Sequence, residues 1–243
     1  MLKINKNDLA ALMFENFTIR TVESSIYSVF PDNESGSEYD TPFGFLYDRI
    51  ACNPVYNRLV WGYSVEIFSR IGVQALRSSQ AGYVLDIGCG SLAFTAKMYS
   101  QYTERPVVLM DRSIKMLRMA KAKLIKRNGH IPENIIFLHA DALQLPFKAN
   151  TFTTIISENL LHCLTDTGIL LNQLKNIMSE TGKMYFTTLV RANRIADTYI
   201  NALANSGKLV SRSSNDHEKI FDQAGLSIAC QTSGNILIIK GNK

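Results

Sequence analysis

The sequence predicts a doubly wound α/β fold: a mostly parallel sheet with helices on both faces, preceded by an N-terminal helical lid. Three observations carry this expectation. From Gly82 onward, short apolar runs alternate with helix-length segments. A Gly-x-Gly turn, Gly88 and Gly90, joins the first of those runs to the helix after it. The first 80 residues follow a different grammar, aromatic and helix-like. Strand–helix alternation with short connections implies a parallel sheet covered on both faces, so the chain divides into a lid at 1–80 and one compact unit at 81–243.

In the first part, residues 8–27 place Leu9, Leu12, Met13, Phe17 and Ile19 at helical spacing. Residues 31–37 read as a turn or loop. Residues 45–51 and 55–76 read as helices rich in aromatics, Trp61 and Tyr63 among them. In the second part, strands are expected at 83–86, 107–111, 134–139, 153–157 and 183–190, with helices at 94–102, 113–127 and 167–178 between them. A helical stretch of about 30 residues then runs to a stop at Gly225. Strands at 226–231 and 235–240, joined through Thr232-Ser-Gly, read as a closing hairpin, which makes seven strands with one antiparallel.

Composition sets the outer bounds. The 243 residues are 46% hydrophobic and 19% charged, an ordinary globular balance. A net charge of +5 would allow an anionic partner. The basic residues cluster once, from Arg112 to Arg127, at the spacing of one exposed helix face, without the interleaved aromatics of a single-strand nucleic-acid surface. Cys52, Cys89, Cys163 and Cys230 lie far apart, so neither a zinc site nor a disulfide framework is expected. No leader and no membrane-length apolar run is legible, and a cytoplasmic protein is expected, with peripheral membrane contact left open.

The chemistry concentrates at Val84-Leu-Asp-Ile-Gly-Cys-Gly-Ser-Leu. Glycines at 88 and 90 let a ligand approach the backbone at a tight turn, and the following helix offers N–H groups. Asp111 ends the next strand, 21 residues after Gly90, where a carboxylate can accept from both hydroxyls of a ribose. Two ligand classes suit this arrangement, a nicotinamide dinucleotide and S-adenosylmethionine. Asp86 separates them: a carboxylate two residues before the first glycine repels a diphosphate and suits a ligand whose near end is cationic.

These segments resemble class I S-adenosylmethionine-dependent methyltransferases, and among them the small-molecule subfamily that includes ubiquinone/menaquinone C-methyltransferases. Val84 to Ser91 follow that family's first motif, V-L-D-I-G-C-G-[TS]-G, with Leu92 in place of its third glycine. Asp111-Arg-Ser-Ile-Lys-Met-Leu is similar to its second motif, and His139-Ala-Asp-Ala-Leu-Gln-Leu-Pro-Phe to its third. Residues 152–163 resemble its fourth, with Thr153 where aspartate is usual. The resemblance implies a Rossmann-like methyltransferase core and S-adenosylmethionine as cofactor. It implies a ribose site at Asp111 with Arg112 beside it, and an adenine site at Asp141 and the Ala142 amide. A methionine site at Asp86, Gly88, Cys89, Gly90 and Ser157 follows, with Tyr47 of the lid packing on the methionyl portion.

Transfer from a sulfonium needs positioning and desolvation foremost, and a base only for an acceptor that must lose a proton. His162 is the candidate base, with Glu158 behind it. A small-molecule acceptor is expected and nucleic acid is not, for want of paired prolines or a supported cysteine. Arg191, Arg194, Lys208 and Arg212 favour a polar or anionic acceptor, whereas the aromatic lid favours a flat, greasy one. The competing readings are an NAD(P)-dependent oxidoreductase, a nucleic-acid methyltransferase and a non-catalytic adenosyl-ligand binder.

Overall fold

The computed structural model describes residues 3–31, 40, 52–78, 81–192 and 194–243, with the side chain of Arg194 left aside. Tyr47, the helix expected at 45–51 and most of the loop at 31–37 lie outside the described residues.

The chain opens with a short helix α1 (Lys6–Ala11), started by an Asn5–Asp8 capping box. The helix expected over 8–27 ends there. A hairpin follows instead, β1 (Arg20–Glu23) and β2 (Ile26–Ser28), turned through Ser25 at φ 65°. Thr21, Val22 and Ile26 are β-branched and favour strands, and the apolar spacing that reads as helical ends where Met13 bridges to Phe147. The lid is therefore not all helical: its hairpin extends the sheet.

Helices α2 (Pro54–Tyr56) and α3 (Glu66–Leu76) replace the single helix expected at 55–76. Between them a π-helical turn, Asn57–Trp61, ends at Gly62 in the left-handed region. The alternating core then runs through β3 (Tyr83–Ile87), α4 (Ala96–Gln101), β4 (Val107–Asp111), α5 (Ile114–Asn128), β5 (Ile135–His139) and β6 (Phe152–Glu158). Next come α6 (Thr167–Ile177) and β7 (Met178–Leu189). The 30-residue helix is two, α7 (Arg194–Asn205) and α8 (Ser214–Gln223), the second capped by Ser213 and stopped before Gly225 at φ 65°. β8 (Ser227–Ser233) and β9 (Ile236–Asn242) form the closing hairpin, whose turn is Gly234-Asn235, at the end of the expected 232–234.

The order across the sheet is β1-β2-β5-β4-β3-β6-β7-β9-β8. Strands β2 to β7 pair in parallel in that series, and β9 pairs antiparallel to β7 and β8. The seven expected strands are thus present, and the N-terminal hairpin makes nine. The order reverses at β3, where chains diverge to opposite sides and leave a crevice beyond the strand ends.

Alternation along each strand divides the core into two. Leu85, Ile87, Val108, Met110, Ile136, Leu138 and Ile155 pack on one face with α1, α6 and α8. Val84, Leu109, Phe137 and Ile156 pack on the other with α3, α4 and α5. Trp61 and Tyr63 belong to this second core; Trp61 stacks on Tyr199 of α7 at 5.3 Å.

Arg105 locks the lower edge of that second face. It is 7% exposed and donates to the Gly82 carbonyl, the hydroxyls of Ser78, Thr153 and Thr154, and, at 3.5 Å, the Ala75 and Leu76 carbonyls. Thr153, which departs from the family pattern, thus accepts from a buried cation that has no carboxylate partner among the described residues. Thr153→Asp supplies the missing charge, and a charge-assisted hydrogen bond contributes about 1.5–3 kcal/mol. We expect urea unfolding to show a gain of about 1 kcal/mol after the cost of burying the carboxylate; a loss would mean that the neutral threonine already satisfies Arg105.

Candidate functional site

Register and alternation bring three carboxylates together. Val84, Asp86 and their neighbours pair Asp86 with Leu109 of β4 and with Ile156 of β6. Two residues further along those strands, on the same face, stand Asp111 and Glu158. All three therefore line the C-terminal edge of β4, β3 and β6, on the side covered by α3, α4 and α5. Asp86 and Glu158 each leave one fully buried oxygen, Oδ1 and Oε1, without a hydrogen-bond partner. Among the described residues no basic side chain pairs with any of the three.

Asp86 is 2% exposed, and its Oδ2 accepts a 2.6 Å bond from the Tyr99 hydroxyl. Burial pushes this carboxyl up to about 7, the tyrosine bond opposes the rise, and nearby Asp111 adds to it. Asp111 is raised by burial to about 6, against the pull of the Ser113, Gly90 and Arg112 amides. Its Oδ2 takes the Gly90 N–H and its Oδ1 the Ser113 N–H, both at 2.8 Å, so the carboxylate points into the crevice below the glycine turn. Glu158 is raised well above the carboxylate range, by burial first and Asp86 second. Asp40 reaches the same rim, accepting from the Ser113 hydroxyl and the Lys115 amide, with its Oδ2 buried and unpartnered.

The turn itself is held by Gly88 and Cys89, whose amides donate to the Met110 carbonyl. Gly88 and Gly90 are left-handed, at φ 72° and 55°. A Cβ on Gly88 would press on Leu160 at 3.1 Å, whereas a Cβ on Gly90 would meet nothing within 4 Å. Gly90 thus faces open space directly above Asp111. Leu92, at the third glycine position, keeps the left-handed conformation, φ 54°, and is 1% exposed in the second core. Holding a leucine there costs roughly 1–2 kcal/mol, less than the ~1.5–3 kcal/mol its burial returns. The loop path survives the substitution for that reason. Helix α4 starts only at Ala96, so the expected helix N–H groups do not stand at the turn, and the Gly90 N–H there is taken by Asp111.

The remaining sequence-predicted residues divide. Asp141 holds its loop by accepting from the Leu143 amide and faces Arg112 across 3.5 Å, with Ala142 half-buried beside it. A cavity of about 260 Å³, lined by Phe17, Val29, Phe30, Pro31, Asp141 and Gln144, opens at this end. Ser157, by contrast, is buried and donates its hydroxyl proton to the Ile87 carbonyl at 3.0 Å, so it braces β6 against β3 and is not presented to a ligand. Cys89 sits in the turn, its thiol pushed up by burial and by Asp111 and Asp86.

His162, the candidate base, lies among buried groups of the core. It is 5% exposed, and its Nδ1 accepts from the Leu189 amide and the Thr188 hydroxyl. Burial, then the neighbouring His217 and Arg212, lower it to about 3, so it is a neutral core imidazole. Arg212 is turned inward onto the Leu161, Leu164 and Thr165 carbonyls, and Arg191 pairs with Asp216 at the surface. The basic face of α5 is partly committed too: Arg118 and Lys121 meet Glu23 of the hairpin. Sequence reasoning missed Tyr99, Asp40 and the bracket of Ser28 and the Arg112 carbonyl on His139. None carries a motif; a tyrosine on a helix face signals a core residue, and only the packing of α4 aims it at Asp86.

A family model described as a methyltransferase domain matches residues 78–228, more than half of the chain. A ubiquinone/menaquinone biosynthesis C-methyltransferase of Idiomarina loihiensis is 32% identical over 146 residues, 57% of this chain and 57% of that protein. A malonyl-[acyl-carrier protein] O-methyltransferase of Legionella pneumophila is 28% identical over 106 residues, 44% of this chain and 36% of that protein. The aligned part thus spans between about a third and little over half of these relatives' length. Among solved structures, a phosphoethanolamine N-methyltransferase of Haemonchus contortus, complexed with phosphomonomethylethanolamine and S-adenosylhomocysteine, shares the fold at TM-score 0.65 and 13% identity, over 88% of this chain and 61% of that one. A SAM-dependent methyltransferase of Aquifex aeolicus does so at TM-score 0.58 and 17% identity, over 81% and 96%.

The carboxyls and histidines act on stability with opposite signs. Asp86 takes up a proton on folding, so its contribution is present below the ordinary carboxyl value of 3.8 and is lost as pH rises through about 7. His162 and His217, lowered to about 3 and about 4, lose stability as pH falls below 6.5. Only a difference isolates the carboxyl. Asp86→Asn keeps an acceptor for Tyr99, and its unfolding free energy should exceed that of the parent by an amount growing between pH 4 and 7 to at most about 4 kcal/mol. A pH-independent difference would refute the buried, proton-holding state of Asp86.

Proposed function

Because this chain belongs to the methyltransferase-domain family, we propose that it transfers the methyl group of S-adenosylmethionine to a small-molecule acceptor. The observation that carries the reading is the acidic row beneath the open glycine turn. Asp86 and Glu158 each hold one buried oxygen without a partner, Asp111 stands beside them with its oxygens on backbone amides, and no counter-cation pairs with the three among the described residues. Such a row is costly unless a cationic ligand completes it. It opposes a dinucleotide diphosphate by the sign of its charge, which disfavours the oxidoreductase reading.

When bound, the cofactor supplies a methyl carbon activated by its sulfonium. The protein's part is binding, orientation and exclusion of water. Asp111 receives the ribose hydroxyls with the lone pairs left over from its two amide bonds. Asp141 and the Ala142 amide take the adenine edge, and the cavity at Phe30 and Pro31 gives the ring its apolar wall. Arg112 covers Asp141 from the solvent side. Asp86, oriented by Tyr99, meets the ammonium end of the methionine part, and Gly90 lets that part lie against the backbone.

Relatives named for carbon, oxygen and nitrogen methylation share this core, so the fold belongs to the donor and the acceptor atom does not follow from it. With Arg212 committed to internal carbonyls, and Val55, Leu59 and Ile195 exposed on the elements that carry the Trp61–Tyr199 stack, an apolar acceptor is favoured over an anionic one. Such a patch also suits peripheral contact with a membrane; among the described residues no helix is long and apolar enough to cross one.

Titration calorimetry with S-adenosylhomocysteine tests the donor site. Asp111→Asn should weaken binding about 10–100-fold, the worth of one or two charge-assisted hydrogen bonds, while thermal unfolding remains cooperative. Absence of binding to the parent chain, together with a melting shift by NAD(P), would reverse the assignment.

A further inference from the structure

The acidic row holds more negative charge than a ribose and an ammonium require. Asp86 lies on β3 opposite Ile156, and Glu158 follows two residues later on the same face of β6. Helix α3 roofs the pair at Gly72, where a Cβ would stand 3.8 Å from the Glu158 Oε1. From α4 comes the Tyr99 hydroxyl, bonded to Asp86. From β4 and the glycine turn come Asp111 and Cys89, both anionic or neutral, and α3 presents no charge there. The two unpartnered oxygens, Oδ1 of Asp86 and Oε1 of Glu158, are buried and have no cation to share among the described residues.

We propose that Asp86 and Glu158 share a proton in the crevice, and that this pair distinguishes the sulfonium donor from the uncharged thioether product by giving the proton up to the first and keeping it with the second. This rests on the donor-binding reading of the same crevice. Two adjacent desolvated carboxyls cannot both ionise without a cation, so one O–H bond persists. The upward displacement of both groups accords with that arrangement. A sulfonium entering beside them replaces the proton's charge, and the proton leaves to solvent. Once the methyl group has left, sulfur is neutral, and the pair regains a proton from solvent. Donor and product carry the same amino-acid ammonium and carboxylate, so the difference between them isolates the charge on sulfur. Glu158, which no motif role claims, thereby becomes a specificity-determining residue: it lowers the affinity for product relative to donor.

The test is calorimetry of the full chain with S-adenosylmethionine and S-adenosylhomocysteine at pH 6, 7 and 8. Each titration is run in phosphate and in Tris, whose different ionisation enthalpies count the protons released. Donor binding should release about half a proton or more beyond product binding near pH 7, and the donor-to-product affinity ratio should rise roughly tenfold from pH 6 to 8. In Glu158→Gln the extra proton should vanish and the ratio should flatten; the ligands' own amino groups titrate alike against both proteins. If Glu158→Gln fails to fold, Asp86→Asn carries the same comparison. Equal proton counts for the two ligands, or an unchanged difference in the variant, would overturn the pair while leaving the donor site intact. Failure of the parent chain to bind either ligand would overturn both.

Discussion

The site depends on one constraint, the parallel register of β4, β3 and β6. Because Asp86 is level with Leu109 and Ile156, the residues two steps on, Asp111 and Glu158, emerge on its side of the sheet at the same edge. A slip of one residue in either pairing would send a carboxylate into the opposite core, among Ile87, Met110 and Phe186. The apolar partners on both faces forbid that slip. Hydrophobic packing, through register, therefore places charges where hydrophobic packing alone would never leave them.

Desolvated carboxyls without cations oppose folding, and the rest of the fold bears that cost. Tyr99 relieves one oxygen of Asp86, and the Gly90 and Ser113 amides relieve both oxygens of Asp111. What remains unrelieved is what a cationic ligand can use. Binding sites are commonly less stable than scaffolds allow, because groups that await a ligand must not be satisfied internally. The same contrast explains the basic residues. Arg105 and Arg212 are satisfied by carbonyls and hydroxyls and hold the frame. In a protein of net charge +5, no cation among the described residues pairs with the three carboxyls; Arg112 stands at Asp141 and Lys123 at Ser91, beside the turn.

Departures from the family pattern are informative where their energetics can be weighed. Leucine at 92 retains the left-handed backbone that a glycine would adopt freely, because burial against the second core outweighs the strain. Threonine at 153 retains a bond to Arg105 with a neutral oxygen. Both substitutions preserve geometry at some cost in local energy, which is why the turn and the strand remain in place. Histidine at 162 looks chemical in sequence because of its position after a strand. In three dimensions its imidazole serves as an acceptor for the backbone of β7.

The seven core strands, the helices expected at 94–102, 113–127 and 167–178, the glycine turn and the pair Asp86–Asp111 were legible in the sequence, because alternation and left-handed turns are local properties that residue types dictate. The carboxylate type at 86 likewise separates two ligand classes by its sign of charge alone. The hairpin at 20–28 was not legible, since Leu9, Leu12 and Met13 set a helical spacing whose end depends on where β5 offers a free edge to Ile26. Nor were Tyr99 as partner to Asp86, Ser157 as an internal brace, or Glu158 as the neighbour of Asp86. Each of those depends on which residues meet across strands and helices far apart in the chain. Hydrogen-bond satisfaction and desolvation are properties of such meetings, and they decide which polar residues hold the frame and which are left for a ligand.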